Sequence, residues 1–99
     1  MSDPHPRLRL SDTLHQPVRF SMTAALAAAE QLDFADLRDA VQVSDSTLSK
    51  QVGVLEAAGF VKVKKGFVGK RPRTSLSLTP DGRAAWAAHL ATLREIAAG

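Results

Sequence analysis

The chain has 99 residues, a formal net charge of +3 and no cysteine. A chain of this length forms a single domain. Without cysteine it has no disulfide, no zinc–thiolate site and no thiol nucleophile. The first ten residues lack the apolar segment of a secretory signal, and the longest apolar run, at positions 24–29, is far shorter than the ~20 residues of a membrane span. We therefore expect a cytoplasmic globular domain at residues 11–99, preceded by a flexible arm at residues 1–10.

Positive charge is concentrated in one short segment. Residues 60–75 carry a formal charge of +6 and no acidic residue, whereas the rest of the chain carries −3. This asymmetry indicates contact with a polyanion at one place. The alternative is a solvated basic hairpin that only maintains solubility. The six cations are Lys62, Lys64, Lys65, Lys70, Arg71 and Arg73.

The first half of the chain predicts helices joined by short connections. Residues 11–15 fit one helical turn, and residues 17–31 predict a helix because they are rich in alanine and begin with proline. Residues 32–34 fit a short extended segment, and residues 35–41 predict a short helix. A tight turn at positions 42–43 follows.

The segment 45–58 predicts an amphipathic helix with a narrow polar face. Ser44 is a suitable N-cap, and Gly59 is suited to a left-handed C-cap that folds Phe60 back onto the helix. The buried stripe is predicted to be Leu48, Val52 and Leu55, and the outward side Ser46, Lys50, Gly53 and Ala57.

The last third of the chain predicts a β-hairpin and a helix. Two alternating segments within residues 61–78 flank a glycine- and cation-rich loop at residues 66–73. Thr79 is placed as the N-cap of the final helix, with Pro80 at its first position. Trp86, Leu90, Leu93 and Ala97 then repeat at helical spacing.

This element order predicts a winged helix-turn-helix, a mainly α fold whose β-hairpin is the wing. Helix 45–58 is slim enough to enter the major groove of duplex DNA, and the basic wing at 61–78 suits the DNA backbone or the minor groove. We expect both surfaces to lie on the same side of the molecule. The expected DNA-binding residues of the helix are Ser44, Ser46, Thr47, Ser49, Lys50 and Gln51; those of the wing are the six cations named above.

Residues 16–96 resemble the small MarR/ArsR-like winged-helix regulators, in the compact subfamily without a separate sensor domain. The resemblance implies a dimeric transcriptional regulator, expected to be a repressor, that reads an inverted repeat with the helix carrying residues 46–50 and has Arg71 at the wing tip. Gln51 departs from the basic residue or histidine that family members often have there. The matching segments are 17–19, 32–37, 43–50, 55–61, 66–74 and 78–83.

The terminal helices carry more apolar surface than a core of this size absorbs. We therefore expect a homodimer, with packing inside one chain as the alternative. The expected interface residues are Leu14, Phe20, Trp86, Leu90 and Leu93.

Other classes of function are disfavoured by the sequence. There is no nucleophile elbow, phosphate-binding glycine loop or zinc-protease motif, so we expect no enzyme and no cofactor. His5, His15 and His89 have no metal-ligand spacing and are expected to be solvated, although His15 and His89 could meet across a dimer. The competing function is a winged helix that binds an acidic protein, because a fold does not determine a function. The sequence names no effector.

Overall fold

The computed structural model describes residues 3–99 and confirms the predicted winged helix, mainly α with a β-hairpin. A 3-10 turn at Pro6–Arg9 packs against the last helix, where Arg9 forms an ion pair with Glu95. Positions 1 and 2 of the predicted arm lie outside the described residues, and the limits of arm and domain stay a prediction. The helices are α1 (Asp12–His15), α2 (Pro17–Ala27), α3 (Phe34–Val41), α4 (Asp45–Ala57) and α5 (Pro80–Ala98), and the strands are β1 (Leu32–Asp33), β2 (Val61–Val68) and β3 (Arg71–Leu78).

The helix ends that depend on local chemistry are where the sequence predicts them. The Ser44 hydroxyl accepts from the Thr47 N–H at 3.1 Å and caps α4. Gly59 has a φ of 79°, and the Phe60 N–H donates to the Leu55 carbonyl at 3.0 Å, which closes the left-handed cap of α4. These caps fix where α4, the helix predicted to read DNA, begins and ends.

Helix α2 ends at Ala27, four residues earlier than predicted. The Arg83 guanidinium of α5 donates to the carbonyl oxygens of Ala27 at 3.5 Å and Ala29 at 3.0 Å. Carbonyls at a helix end lack partners within the helix, so a cation from a distant helix satisfies them here. The alanines that favour continuation are therefore overridden by a tertiary contact.

The hairpin is longer than predicted, and the expected loop at residues 66–73 is wrong. Strands β2 and β3 pair in register from Val61 opposite Leu78 to Val68 opposite Arg71, and the turn is only positions 69–70. Gly69 has a φ of 62°, as a two-residue hairpin turn requires. Pro72 is tolerated in β3 because β1 pairs with it only at positions 75 and 76, which leaves an open edge at Pro72.

One leucine-rich core lies between the helices and the base of the hairpin. Leu14 is 0% exposed within this core. Its side chain therefore offers no surface to a second protomer, which removes it from the predicted dimer interface. α1 packs on α2 and carries Leu14 inward. The other most deeply buried aliphatic side chains are Met22, Leu26, Leu37, Leu48, Leu55 and Leu76.

The base of the wing is joined to α5 by a close backbone contact. The Thr79 N–H donates to the Phe60 carbonyl at 3.0 Å, and the Thr79 hydroxyl donates to the Gly59 carbonyl at 2.6 Å. Gly82 then passes so near Phe60 that a Cβ at this position would overlap the Phe60 carbonyl group. Only glycine fits here, because the atoms it faces are backbone atoms.

The same glycine-to-alanine change is expected to have opposite effects in two helices. Gly82→Ala should lower the free energy of unfolding by about 1–3 kcal/mol through overpacking. Gly53→Ala in α4 should raise it by about 0.5–1 kcal/mol, because a Cβ there meets no atom within 4 Å. Urea denaturation of both variants checks this, and equal effects would contradict it.

Two histidines expected to be solvated meet inside one chain. His89 is 1% exposed and its Nδ1 accepts from the Ser11 N–H at 3.2 Å. This bond places the proton of the neutral ring on Nε2, which lies 3.4 Å from Nδ1 of His15. Burial lowers the pKa of His89, and the nearby His15 lowers it further. The N-cap of α1 therefore depends on a neutral His89.

Stability is expected to fall in mild acid. The unfolded chain takes up a proton on His89 near pH 6.5, whereas the folded chain takes it up only at lower pH. The unfolded state thus binds more protons below pH 6.5, and the free energy of unfolding decreases as the pH drops through that range.

His89→Asn keeps an acceptor near the Ser11 N–H but does not titrate. It should flatten the pH dependence of urea denaturation between about pH 7.5 and about pH 5.5. His5→Asn, which alters an exposed histidine, should leave that dependence in place. An unchanged slope in His89→Asn would show that His89 is not the group responsible.

Candidate nucleic-acid interface

The outward ridge of α4 is polar, slim and exposed. Because Leu48, Val52 and Leu55 are buried in the core, the opposite side of α4 faces away from it. Ser46 and Lys50 are exposed on that side, and the Lys50 ammonium makes no ion pair or hydrogen bond within residues 3–99. A ridge of this width fits the major groove of B-DNA, where serine and lysine can bond base edges or phosphates.

The hydroxyl groups at the start of α4 are partly occupied by the helix cap. The Ser44 hydroxyl accepts from the Thr47 N–H and lies 3.0 Å from the Thr47 hydroxyl. It also lies 3.2 Å from the Ser46 hydroxyl. Ser44 and Thr47 are thus placed to hold the N-terminus of α4, whose free N–H groups and positive dipole end attract phosphate.

An ion pair braces the turn before α4. Arg38 in α3 donates to Asp45 at 2.9 Å and to Asp39 at 3.0 Å. Hydrogen bonds to Asp45 and then Asp39 raise the pKa of the Arg38 guanidinium, so it remains charged. The intervening Gln42 adopts a left-handed φ of 57°. These contacts set the angle at which α4 leaves α3.

Gln51 lies on the flank of α4 that faces α2. Its side-chain oxygen accepts from the Arg19 guanidinium at 2.7 Å, and the same guanidinium donates to the Thr13 carbonyl at 2.6 Å. Gln51 is half-buried. Its predicted contact with adenine stays a prediction, and any such contact would have to use the amide NH₂ group or break the bond to Arg19.

Val54 is an apolar member of the exposed face that the sequence interpretation left out. It is 37% exposed and lies beside Lys50 on the helical wheel. The signal was available, because position 54 falls about 120° from the buried stripe at 100° per residue. A valine at this place suits contact with a thymine methyl group.

The two faces of the wing differ in charge. Side chains alternate along paired strands, so one face carries Lys62 and Lys64 on β2 together with Arg71 and Arg73 on β3. The other face carries Lys65 as its one cation within the paired strands. Lys70 lies in the turn, and all six cations are exposed.

Arg73 differs from the other wing cations because it is already paired. Its Nε donates to Asp33 of β1 at 2.7 Å. This ion pair ties the middle of β3 to the start of α3. Arg73 is therefore placed to hold the wing against the body, whereas Lys70 and Arg71 make no ion pair within residues 3–99.

An open cleft separates α4 from one face of the wing. The cleft has a volume of about 380 Å³. Ser49, Gly53 and Glu56 line its α4 wall, and Lys65 and Thr74 line its wing wall. Its floor is apolar and consists of Phe34, Val52, Val63 and Leu76. α4 and the Lys65 face of the wing therefore converge on this cleft. Lys62, Lys64, Arg71 and Arg73 lie on the opposite face of the hairpin, and their convergence with α4 stays a prediction.

Two apolar side chains next to the wing turn are exposed. Phe67 is 74% exposed and Val68 is 56% exposed. Phe67 pairs with Pro72 across the hairpin. The sequence interpretation placed both in the loop without giving them a role, because a loop residue carries no side-chain periodicity.

The remaining residues predicted at the dimer interface lie on α2 and α5. The Phe20 and Trp86 rings pack within one chain at a centroid distance of 4.9 Å. Both are half-buried, as are Leu90 and Leu93 on α5. Their predicted role in a dimer stays a prediction.

Residues 3–99 hold neither a metal-ligand cluster nor a membrane-spanning helix. No group of three His, Cys, Asp or Glu side chains is arranged to hold a metal ion. No helix in this part of the chain is long and apolar enough to cross a membrane.

Known proteins resemble this chain in both sequence and fold. A family model described as a winged helix DNA-binding domain matches residues 18–97. An uncharacterized protein from Methanocaldococcus jannaschii is 32% identical over 69 residues, which span 70% of this chain and 75% of that protein.

Solved structures of regulators superimpose on nearly the whole chain. A transcriptional regulator homologue from Pyrococcus horikoshii has a TM-score of 0.84 at 27% identity, covering 90% of this chain and 88% of that one. A MarR family regulator from Silicibacter pomeroyi shares the fold, with a TM-score of 0.71 at 22% identity over 88% of this chain and 57% of that one. The chain therefore belongs to the winged helix DNA-binding domain family and is a small transcriptional regulator that binds DNA.

Proposed function

We propose that the protein is a homodimeric repressor that binds an inverted repeat in duplex DNA, with α4 in the major groove and the wing on the adjacent backbone. The observation that carries this proposal is the shared cleft. It lies between the polar wall of α4 and the Lys65 face of the hairpin, which supports a helix in one groove with the hairpin on the adjacent backbone.

Base reading is assigned to the exposed ridge of α4. Lys50 is the strongest candidate because it is exposed and unpaired within residues 3–99, and lysine donates to the acceptors of guanine in the major groove. Ser46 provides a short hydroxyl group on the same side, and Ser49 provides one on the adjoining cleft wall. Ser44 and Thr47 support phosphate binding at the helix N-terminus, and Gln51 is a secondary candidate because Arg19 already holds it.

Most of the affinity is assigned to the wing. Lys62, Lys64, Lys70 and Arg71 are exposed cations on a projecting hairpin, and phosphate neutralisation supplies much of the binding free energy of DNA-binding proteins. Arg71, next to the turn, is suited to the minor groove. Arg73 is assigned a smaller direct share because it is paired with Asp33.

Dimerisation is assigned to α5 and its surroundings. Trp86, Leu90 and Leu93 are only half-buried within one chain, so their remaining apolar surface is available to a partner. The molecule is elongated, with extents of 62 × 24 × 21 Å. A two-fold dimer would present two copies of α4 to major grooves roughly 34 Å apart.

A second candidate function is contact between the wing and an acidic protein. The exposed Phe67 and Val68 favour it, since aromatic side chains are enriched at protein interfaces. Polyglutamate of matched charge separates the two functions. Binding to polyglutamate that equals binding to every duplex tested would favour the acidic partner over DNA.

Binding to duplex DNA is expected to depend steeply on salt. If the dimer neutralises about 8 phosphates, the logarithm of the association constant should fall with a slope of about −7 against the logarithm of the salt concentration. Fluorescence anisotropy at several salt concentrations measures this slope. A nearly flat dependence would be inconsistent with binding through the cationic wing.

Lys50→Ala and Arg71→Ala are expected to change binding in different ways. Lys50→Ala should alter the preferred sequence, at about 1–3 kcal/mol for the lost base contact, whereas Arg71→Ala should weaken all duplexes to a similar degree. Selection of bound duplexes from a random pool measures the preferred motif, its half-site spacing and hence the dimer.

Arg7→Ala is the matched control because it removes an exposed cation that lies outside α4, the wing and α5. It should leave both motif and affinity close to those of the unmodified protein. Recovery of an identical motif with Lys50→Ala would remove Lys50 from the base-reading set.

A further inference from the structure

Gly53 is a glycine that the fold itself does not require. It lies inside α4, where its backbone has no left-handed φ, and an ideal Cβ built on it has no atom within 4 Å. Glycine is a much poorer helix former than alanine. Neither backbone conformation nor internal packing explains it, in contrast to Gly82, whose neighbour is a backbone carbonyl.

The position of Gly53 shows which surface gains from the missing side chain. Gly53 lies on the α4 wall of the cleft, between Ser49 and Glu56. Lys65 and Thr74 lie on the wing wall across from it. None of these four side chains makes a hydrogen bond or ion pair within residues 3–99, so their polar groups are available to an occupant of the cleft.

We propose, on the basis of the DNA binding described above, that this cleft seats one sugar–phosphate strand and that Gly53 provides the clearance for it. A helix in the major groove and a hairpin at the next minor groove must straddle the strand that separates those grooves. The cleft is the space between these two elements, and Lys65 is the wing cation that lines it.

The chemistry of the cleft matches a strand of DNA backbone. Lys65, Ser49 and Thr74 supply donors to phosphate oxygens at the rim. The floor includes Phe34 and Val63, which are half-buried and suit the apolar edge of a deoxyribose. Glycine allows close approach of another backbone, so Gly53 lets the strand lie against α4 itself.

Glu56 limits where the DNA strand can lie in the cleft. Its carboxylate is the one acidic group that lines the cleft, and it would repel a phosphate. The strand is therefore expected to lie at the Ser49 end, with Glu56 marking the opposite end. Removing the Glu56 charge should tighten binding to every duplex, because the repulsion does not depend on base sequence.

The test is a pair of substitutions at Gly53 with stability and DNA affinity measured on the same samples. Gly53→Ala should raise the Tm and yet weaken binding. Gly53→Leu should weaken binding at least about tenfold, to selected and scrambled duplexes alike, since a backbone contact carries no sequence information. A purely structural role for Gly53 cannot produce greater stability together with weaker binding.

Charge variants test the proposed position of the DNA strand in the cleft independently of Gly53. Lys65→Ala should reduce the steepness of the salt dependence by about two units, because it removes one phosphate contact from each protomer of the proposed dimer. Glu56→Gln should strengthen binding severalfold, whereas Glu30→Gln, an exposed acid outside the cleft, should have little effect.

The outcomes separate this inference from the DNA binding on which it rests. If the unmodified protein binds no duplex, the proposed function fails and the inference fails with it. If the unmodified protein binds with a steep salt dependence and Gly53→Leu binds equally well, only the proposal that the cleft holds a DNA strand is overturned. In that second case the cleft is left to another occupant, such as a small apolar molecule.

Discussion

The angle between α4 and the wing depends on one backbone contact. Phe60 follows the left-handed cap at Gly59, and its carbonyl receives the Thr79 N–H while Gly82 packs against it without a Cβ. A cap that closes α4 is thereby locked to the N-cap that opens α5. The hairpin leaves and returns between these two points, so the cleft beside α4 exists because this contact holds both ends of the hairpin at fixed positions.

The features predicted from sequence are those determined within a few residues. Ser44 and Thr79 cap their helices through N–H groups three residues ahead, and Gly59 closes α4 through bonds to the turn before it. The buried stripe of α4 follows equally from spacing alone, and so does the direction of its outward ridge. The winged-helix order and most of the candidate interface were therefore accessible from the sequence.

The features that the sequence analysis missed involve partners far apart in the chain. Arg83 ends α2 from 54 and 56 residues away, His89 meets His15 across 74 residues, and Arg19 holds Gln51 across 32 residues. No local pattern marks these pairs, because each depends on how whole helices pack. The hairpin was underestimated for a related reason. Glycine and proline favour loops locally, but cross-strand pairing carries both strands to the two-residue turn.

The wing cations are unequal, although the sequence presents them as one cluster. Arg73 would have to exchange Asp33 for a phosphate, so its net gain on binding is reduced by the loss of the existing pair. Such partly exposed pairs contribute about 0–1 kcal/mol to stability. Arg73 can therefore exchange Asp33 for a phosphate, but the net gain in binding free energy is small. Arg71 and Lys70 lose no such partner. Because Arg73 also holds β3 to β1, it restricts the motion of the hairpin base and lowers the ordering cost when the tip binds. In the proposed complex, affinity is therefore expected to arise mainly near the turn, while Arg73 keeps that turn in position.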